Sequence, residues 1–148
     1  MNSKLVPVEN VIKQESKNSN TVTVYRFDIF KGVPDSEGKI QKIKSVGSAY
    51  LREGLRTYTV HLKTFLQDAF YLLQNTRNEG PDFVLLSREP SKREGKKYHW
   101  NNCGEANVMP GVNMEIMKLE FDLFGEDIYM TLTPARVQEL ENYPKAVA

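Results

Sequence analysis

Residues 98–106 read YHWNNCGEA and hold the only cysteine, the only tryptophan and one of the two histidines of the chain. A metal centre is the first chemistry to test. Structural zinc takes about four ligands, usually several of them thiolates. Here one thiol, Cys103, would have to combine with His99, Glu105 and the distant His61. On an extended backbone His99 and Cys103 lie about 13 Å apart, at roughly 3.3 Å per residue. That spacing excludes a shared ion unless the Asn-Asn step turns sharply. The H-x-E and P-C-x-x-C pair of the zinc nucleobase deaminases is absent.

Nucleophilic catalysis is the second possibility. A reactive thiolate needs a base or a helix N-terminus beside it, and no motif brings His61 or His99 to Cys103. A lone cysteine more often packs as a small hydrophobe. The acidic pairs Glu120/Asp122 and Glu126/Asp127 fall at strand ends and turns, where carboxylates are simply solvated. No glycine-rich phosphate loop of either common pattern occurs. The expectation is therefore a non-enzymatic protein with no catalytic residue, no metal and no cofactor.

Binding chemistry is better supplied. Proteins that hold single strands combine a basic groove with aromatic platforms. One stretch interleaves Lys42, Lys44, Tyr50, Arg52, Arg56 and Lys63. A second carries Arg88, Lys92, Arg93, Lys96 and Lys97, followed by Tyr98 and Trp100. Tyr58 lies within the first stretch but in phase with Val60 and Leu62, which marks it as core. The most concrete ligand is single-stranded DNA or RNA. The alternative is a protein-interaction or assembly module, acting through self-association or another partner, with no nucleic-acid role. An overall pI near 7.8 weighs against nucleic acid, because such domains commonly exceed about 9. Within YHWNNCGEA, Trp100 and Cys103 read as packing residues. Tyr98 or Trp100 is the better candidate for touching a ligand, through stacking.

The elements that must position these groups are strands. TVTVYRFDIF (21–30) is β-branched and aromatic, with Tyr25, Phe27 and Ile29 on one face. GVPDSEG is a turn. KIQKIKSVGSAYL (39–51) is a longer strand bent at Gly47, and TYTVHLKTF (57–65) alternates cleanly with Tyr58, Val60 and Leu62 inward. AFYLLQ, DFVLLSRE, KKYHWNN, MEIMKLEFDLF and DIYMTL complete the set. TPARVQELENY reads as a short C-terminal helix, with Thr133 as N-cap, Pro134 at the first helical position and Val137, Leu140 and Tyr143 on one stripe. Residues 1–20 read as a flexible tail in which LVPVENVI could add an edge strand, and 21–148 as a single domain. The class is mainly β, an antiparallel barrel or sandwich.

An internal echo adds detail. At an offset of 57, VGSAYLREGLRTYTVHL matches CGEANVMPGVNMEIMKL, with Gly47 on Gly104, Ala49 on Ala106, Val60 on Met117, Leu62 on Leu119 and Leu66 on Leu123. One inserted residue then sets Asp68 on Glu126, Phe70 on Ile128 and Tyr71 on Tyr129. The expectation is two related β-units, with Cys103 in the place of Val46.

Composition bounds the rest. The chain has 148 residues, 26% charged and 40% hydrophobic, which is globular. A single cysteine excludes an intrachain disulfide framework, and no window approaches the roughly 18 apolar residues of a membrane span. These features read as a cytoplasmic protein without a membrane partner. Net charge is only +1, but from Lys39 to Leu66 six bases face one acid, whereas from Glu105 to the end eight acids face three bases. Such asymmetry marks a basic face if it survives folding.

Overall fold

The computed structural model describes residues 21–141 except 66, 113, 123, 124 and 126. Nine strands follow in order: β1 (Thr21–Pro34), β2 (Ile40–Arg52), β3 (Tyr58–Leu62), β4 (Phe70–Gln74), β5 (Phe83–Pro90), β6 (Tyr98–Pro110), β7 (Glu115–Phe121), β8 (Ile128–Thr131) and β9 (Arg136–Glu141). All pair antiparallel with their sequence neighbours up to β8. Because β1 pairs β2 along one edge and β8 along the other, the first eight strands form a ring-like sheet.

Alternation explains what fills the ring. Tyr25, Phe27 and Ile29 of β1 turn inward, as do Tyr58, Val60 and Leu62 of β3, and all are buried. Leu72, Leu85, Met117, Leu119 and Met130 complete an interior packed with side chains. Tyr58 meets Phe27 edge-on at 5.3 Å and Phe83 at 6.1 Å. Each such residue removed from water contributes about 1.5–3 kcal/mol, so the interior is the main source of stability.

Two long hairpins leave this ring at bulges. In β1–β2 the register shifts at Val46, beside Gly47, which pairs Ile29. In β5–β6 it shifts at Cys103, beside Gly104, which pairs Leu85. Both glycines permit close backbone approach: a Cβ would lie 2.4 Å from the His61 carbonyl oxygen at Gly47 and 2.1 Å from that of Glu120 at Gly104. Val46 and Cys103, the extra residues, both pack partly against the core. Counted along the ladders, Val60 faces Ala49 as Leu119 faces Ala106. Val60 and Leu62 therefore hold the places of Leu119 and Phe121, not Met117 and Leu119, because the β6–β7 connection is two residues longer. Leu66, Leu123 and Glu126 lie outside the described residues.

The two hairpins differ in what they do. The first bends over the outer face of β7 and β8. There Phe30 stacks on Tyr129 at 5.8 Å, Ile40 and Ile116 close a second small core, and Gly32 donates to the Asp127 carbonyl at 3.2 Å. The second projects. β4 pairing stops at Tyr71–Leu86 and β7 pairing stops at Phe121–Gly104, so residues 87–102 continue as a two-stranded arm.

No helix occurs among the described residues. The helix expected from Thr133 is replaced over 136–141 by β9, which pairs Thr21–Arg26 of β1. β8 covers only Ile29–Lys31 of that edge, and the remaining backbone donors and acceptors of β1 need partners. Ladder formation there outweighs the modest helical preference of a short segment. Tyr143, the tail 1–20 and its LVPVENVI segment lie outside the described residues. Among the described residues no helix is long and apolar enough to cross a membrane.

Candidate functional site

The arm owes its outer face to the bulge. Past Cys103, alternation places Asn102 beside Leu86, Trp100 beside Arg88 and Tyr98 beside Pro90. Tyr71, across from Leu86, continues that face onto β4. The Arg88 guanidinium lies over three rings, 4.0 Å from the Tyr98 centroid, 4.8 Å from Tyr71 and 5.6 Å from Trp100. Tyr71 meets Trp100 at 5.4 Å and 77°, and Tyr98 meets it at 6.4 Å and 65°. Cation–π contacts at exposed sites contribute about 0.5–1 kcal/mol each. They hold the rings in place while Trp100 remains 46% exposed and Tyr98 37% exposed. The expectation that Trp100 packs in the fold is thus corrected, since its ring stands on the projecting arm rather than in the interior.

The tip supplies charge. Residues 91–97 close through Ser91 N–H to the Lys97 carbonyl at 3.0 Å and Lys96 N–H to that of Arg93 at 3.3 Å. A recess of 650 Å³ opens there, lined by Lys92, Arg93, Lys96, Tyr98, His99, Trp100 and the acidic Glu89. The arm carries five cations, Arg88, Lys92, Arg93, Lys96 and Lys97, against two acids, Glu89 and Glu94. The whole second group of expected site residues is therefore assembled on one element.

The first group is not assembled in the same way. Lys42 forms an ion pair with Asp28 at 2.8 Å, which neutralises it locally. Lys44 is exposed and pairs across the ladder with Lys31. Lys63 sits in the β3–β4 turn and reaches the Ser45 carbonyl at 3.5 Å. Arg56 lies in the β2–β3 turn, at the opposite end of the ring from the arm tip. Arg52 and Tyr50 are half-buried on the outer face, where Tyr50 meets the His61 ring at 5.9 Å. Tyr71 is the contributor that sequence reasoning missed. Its outward phase, opposite to the buried Leu72, was its only signal.

The rare residues separate. His99 pairs with Glu89 across the arm, four residues along β6 from the bulged Cys103. The Cys103 thiol is half-buried, and burial first, then the negative charge of Asp122, pushes its pKa above 9.0. That is the reverse of what a nucleophile needs. Among the described residues no group of three or more histidines, cysteines or carboxylates is placed to hold a metal. Comparisons of the chain with family models, curated proteins and solved structures gave no match. The chemistry of the arm alone carries the functional reading.

Proposed function

We propose that this is a non-catalytic, cytoplasmic binding protein that holds single-stranded nucleic acid, DNA or RNA, on the 87–102 arm. The observation that carries the reading is the recess in which Lys92, Arg93 and Lys96 stand beside the exposed rings of Tyr98 and Trp100. Cations there meet phosphates while the rings stack bases, a combination that tolerates any sequence. Arg88 serves as the post that orients the three rings. The proposal also takes the chain as two related β-units closed into a barrel, one spanning β1–β4 and one β5–β8. The matched bulges beside Gly47 and Gly104 support that kinship.

Trp100 is the sole tryptophan, so its fluorescence reports the site directly. Titration with oligonucleotides should quench it. Affinity should fall as salt rises, with a log–log slope of about −0.7 for each phosphate contacted. Trp100→Ala, followed by anisotropy of a labelled oligonucleotide, should weaken binding roughly 5- to 150-fold, the range for one stacked base. Arg88→Lys should also weaken it, because an ammonium cannot lie flat against the rings. Absence of binding at low salt, or binding indifferent to salt, overturns the proposal. A partner protein retained on Leu73, Tyr98 and Trp100 after nuclease treatment would instead establish the protein-interaction alternative, which the exposure of those apolar side chains favours.

A further inference from the structure

The arm alone is short for a single strand, and the ligand must leave it in one direction or the other around the ring. Toward β7, the outward positions turn acidic. Glu105 of β6 stands directly across the ladder from Glu120 of β7, and Asp127 lies further on. Lys118 is their only outward cation on β7, and it is already engaged by Glu120 at 3.7 Å and Asp127 at 3.9 Å. Phosphates entering that side meet like charge.

Toward β2 the surface is different. The outward positions of β3, β4 and β5 are Thr59 and His61, Tyr71 and Leu73, and Val84, Leu86 and Arg88, with no acid among them. Register places Tyr50, Thr59, Tyr71, Leu86 and Asn102 in a single row across five strands. Tyr50 and Tyr71 are two strands apart, about 9.6 Å at the usual strand spacing. Arg26 continues the row on β1, with its Nε donating to Ser48 Oγ at 3.1 Å.

We infer that the bound strand runs from the arm across β4 and β3 to β2, with Tyr50 as its far stacking platform and Trp100 as its near one. This rests on the proposed single-strand function and gives it a direction and a minimum length. The far platform joins Tyr50, from the first group of sequence candidates, to the arm.

Oligothymidylates of about three and about twelve nucleotides separate the two ideas, since site sizes of such surfaces run from about 4 nucleotides upward. The longer one should bind the wild-type protein at least about tenfold more tightly. Tyr50→Ala should weaken the longer probe about tenfold and leave the shorter one unchanged, while Tyr50→Phe should retain both affinities. If both probes quench Trp100 but Tyr50→Ala affects them equally, or affects neither, the track is overturned and the arm site stands. If neither probe quenches Trp100, both fall.

Discussion

Gly104 tests whether the bulge that launches the arm is a strict geometric requirement. In Gly104→Ala the new Cβ would lie 2.1 Å from the Glu120 carbonyl oxygen and 3.0 Å from Phe121 Cα. Both are backbone atoms, so no side-chain rotation relieves the contact, and β6 must move about 1 Å away from β7. Overpacking of this kind costs about 1–3 kcal/mol. The neighbouring bond from Asp122 N–H to the Cys103 carbonyl, now 2.8 Å, would stretch with it. Each ladder bond lost adds about 1 kcal/mol. The total of about 2–4 kcal/mol is a large share of the roughly 5–15 kcal/mol available to a domain. With a urea slope near 2 kcal/mol/M, the unfolding midpoint should drop by about 1–2 M. Gly125→Ala is the control. A Cβ there meets nothing within 4 Å, and the change should stay within about 0.5 kcal/mol. A Gly104→Ala midpoint within about 0.3 M of wild type, at unchanged slope, would refute the close-approach argument.

The remaining predictions concern titration. The Cys103 thiol is raised above 9.0 by burial and by Asp122. Its neutral form therefore favours the fold, a contribution present below the unfolded value and lost as pH rises through the folded one. Alkylation of native protein at neutral pH should be slower than that of a free thiol, and its rate should go on rising with pH beyond the point where a free thiol levels off. Modification at the rate of a free thiol would contradict this. At the β1–β2 turn the Asp35 carboxylate is held below 3.8, chiefly by the Gln41 side chain and then by the N–H groups of Glu37 and Lys39. A lowered value stabilises the turn above pH 3.8 and the effect vanishes as pH falls through the folded value. Protection of the Glu37 and Lys39 amides, taken relative to their intrinsic exchange rates, should fall in acid, and Asp35→Asn should show that lower protection already at neutral pH. Unchanged protection in the variant would dismiss the carboxylate as the turn's anchor.

How much of this was legible depends on the range of the interaction concerned. Period-two alternation marked Tyr25, Phe27 and Ile29 and marked Tyr58, Val60 and Leu62 as interior, because those faces are set within each strand. The terminal helix was misread for a non-local reason: TPARVQEL carries sound helical signals, but the vacant edge of β1 at Thr21–Arg26 was invisible without the sheet. The cations of 88–97 were visible as composition. What no spacing disclosed was that the bulge at Cys103 resets the phase of β6, so that Tyr98 and Trp100 face Arg88. Tyr71 was hidden for the same reason, since its partners lie on β5 and β6.

The same phase logic explains why one outer tyrosine is structural and the other available. Tyr129 on β8 and Tyr71 on β4 each flank the strand that begins a long hairpin. On the β1–β2 side, Gly32 lacks the Cβ that would press within 3.1 Å of the Tyr129 ring, and the hairpin folds down until Ile40 bridges Gly111. Tyr129 is consequently 3% exposed, and burial raises its hydroxyl pKa. On the β5–β6 side, the arm offers Arg88 paired with Trp100 where the first hairpin offers Gly32 paired with Lys42. Those bulky groups hold the arm up, and Tyr71 stays half-open beneath them. A hairpin that closes over its tyrosine extends the core. One propped open by a guanidinium leaves aromatic faces in water, where only a ligand can recover their burial.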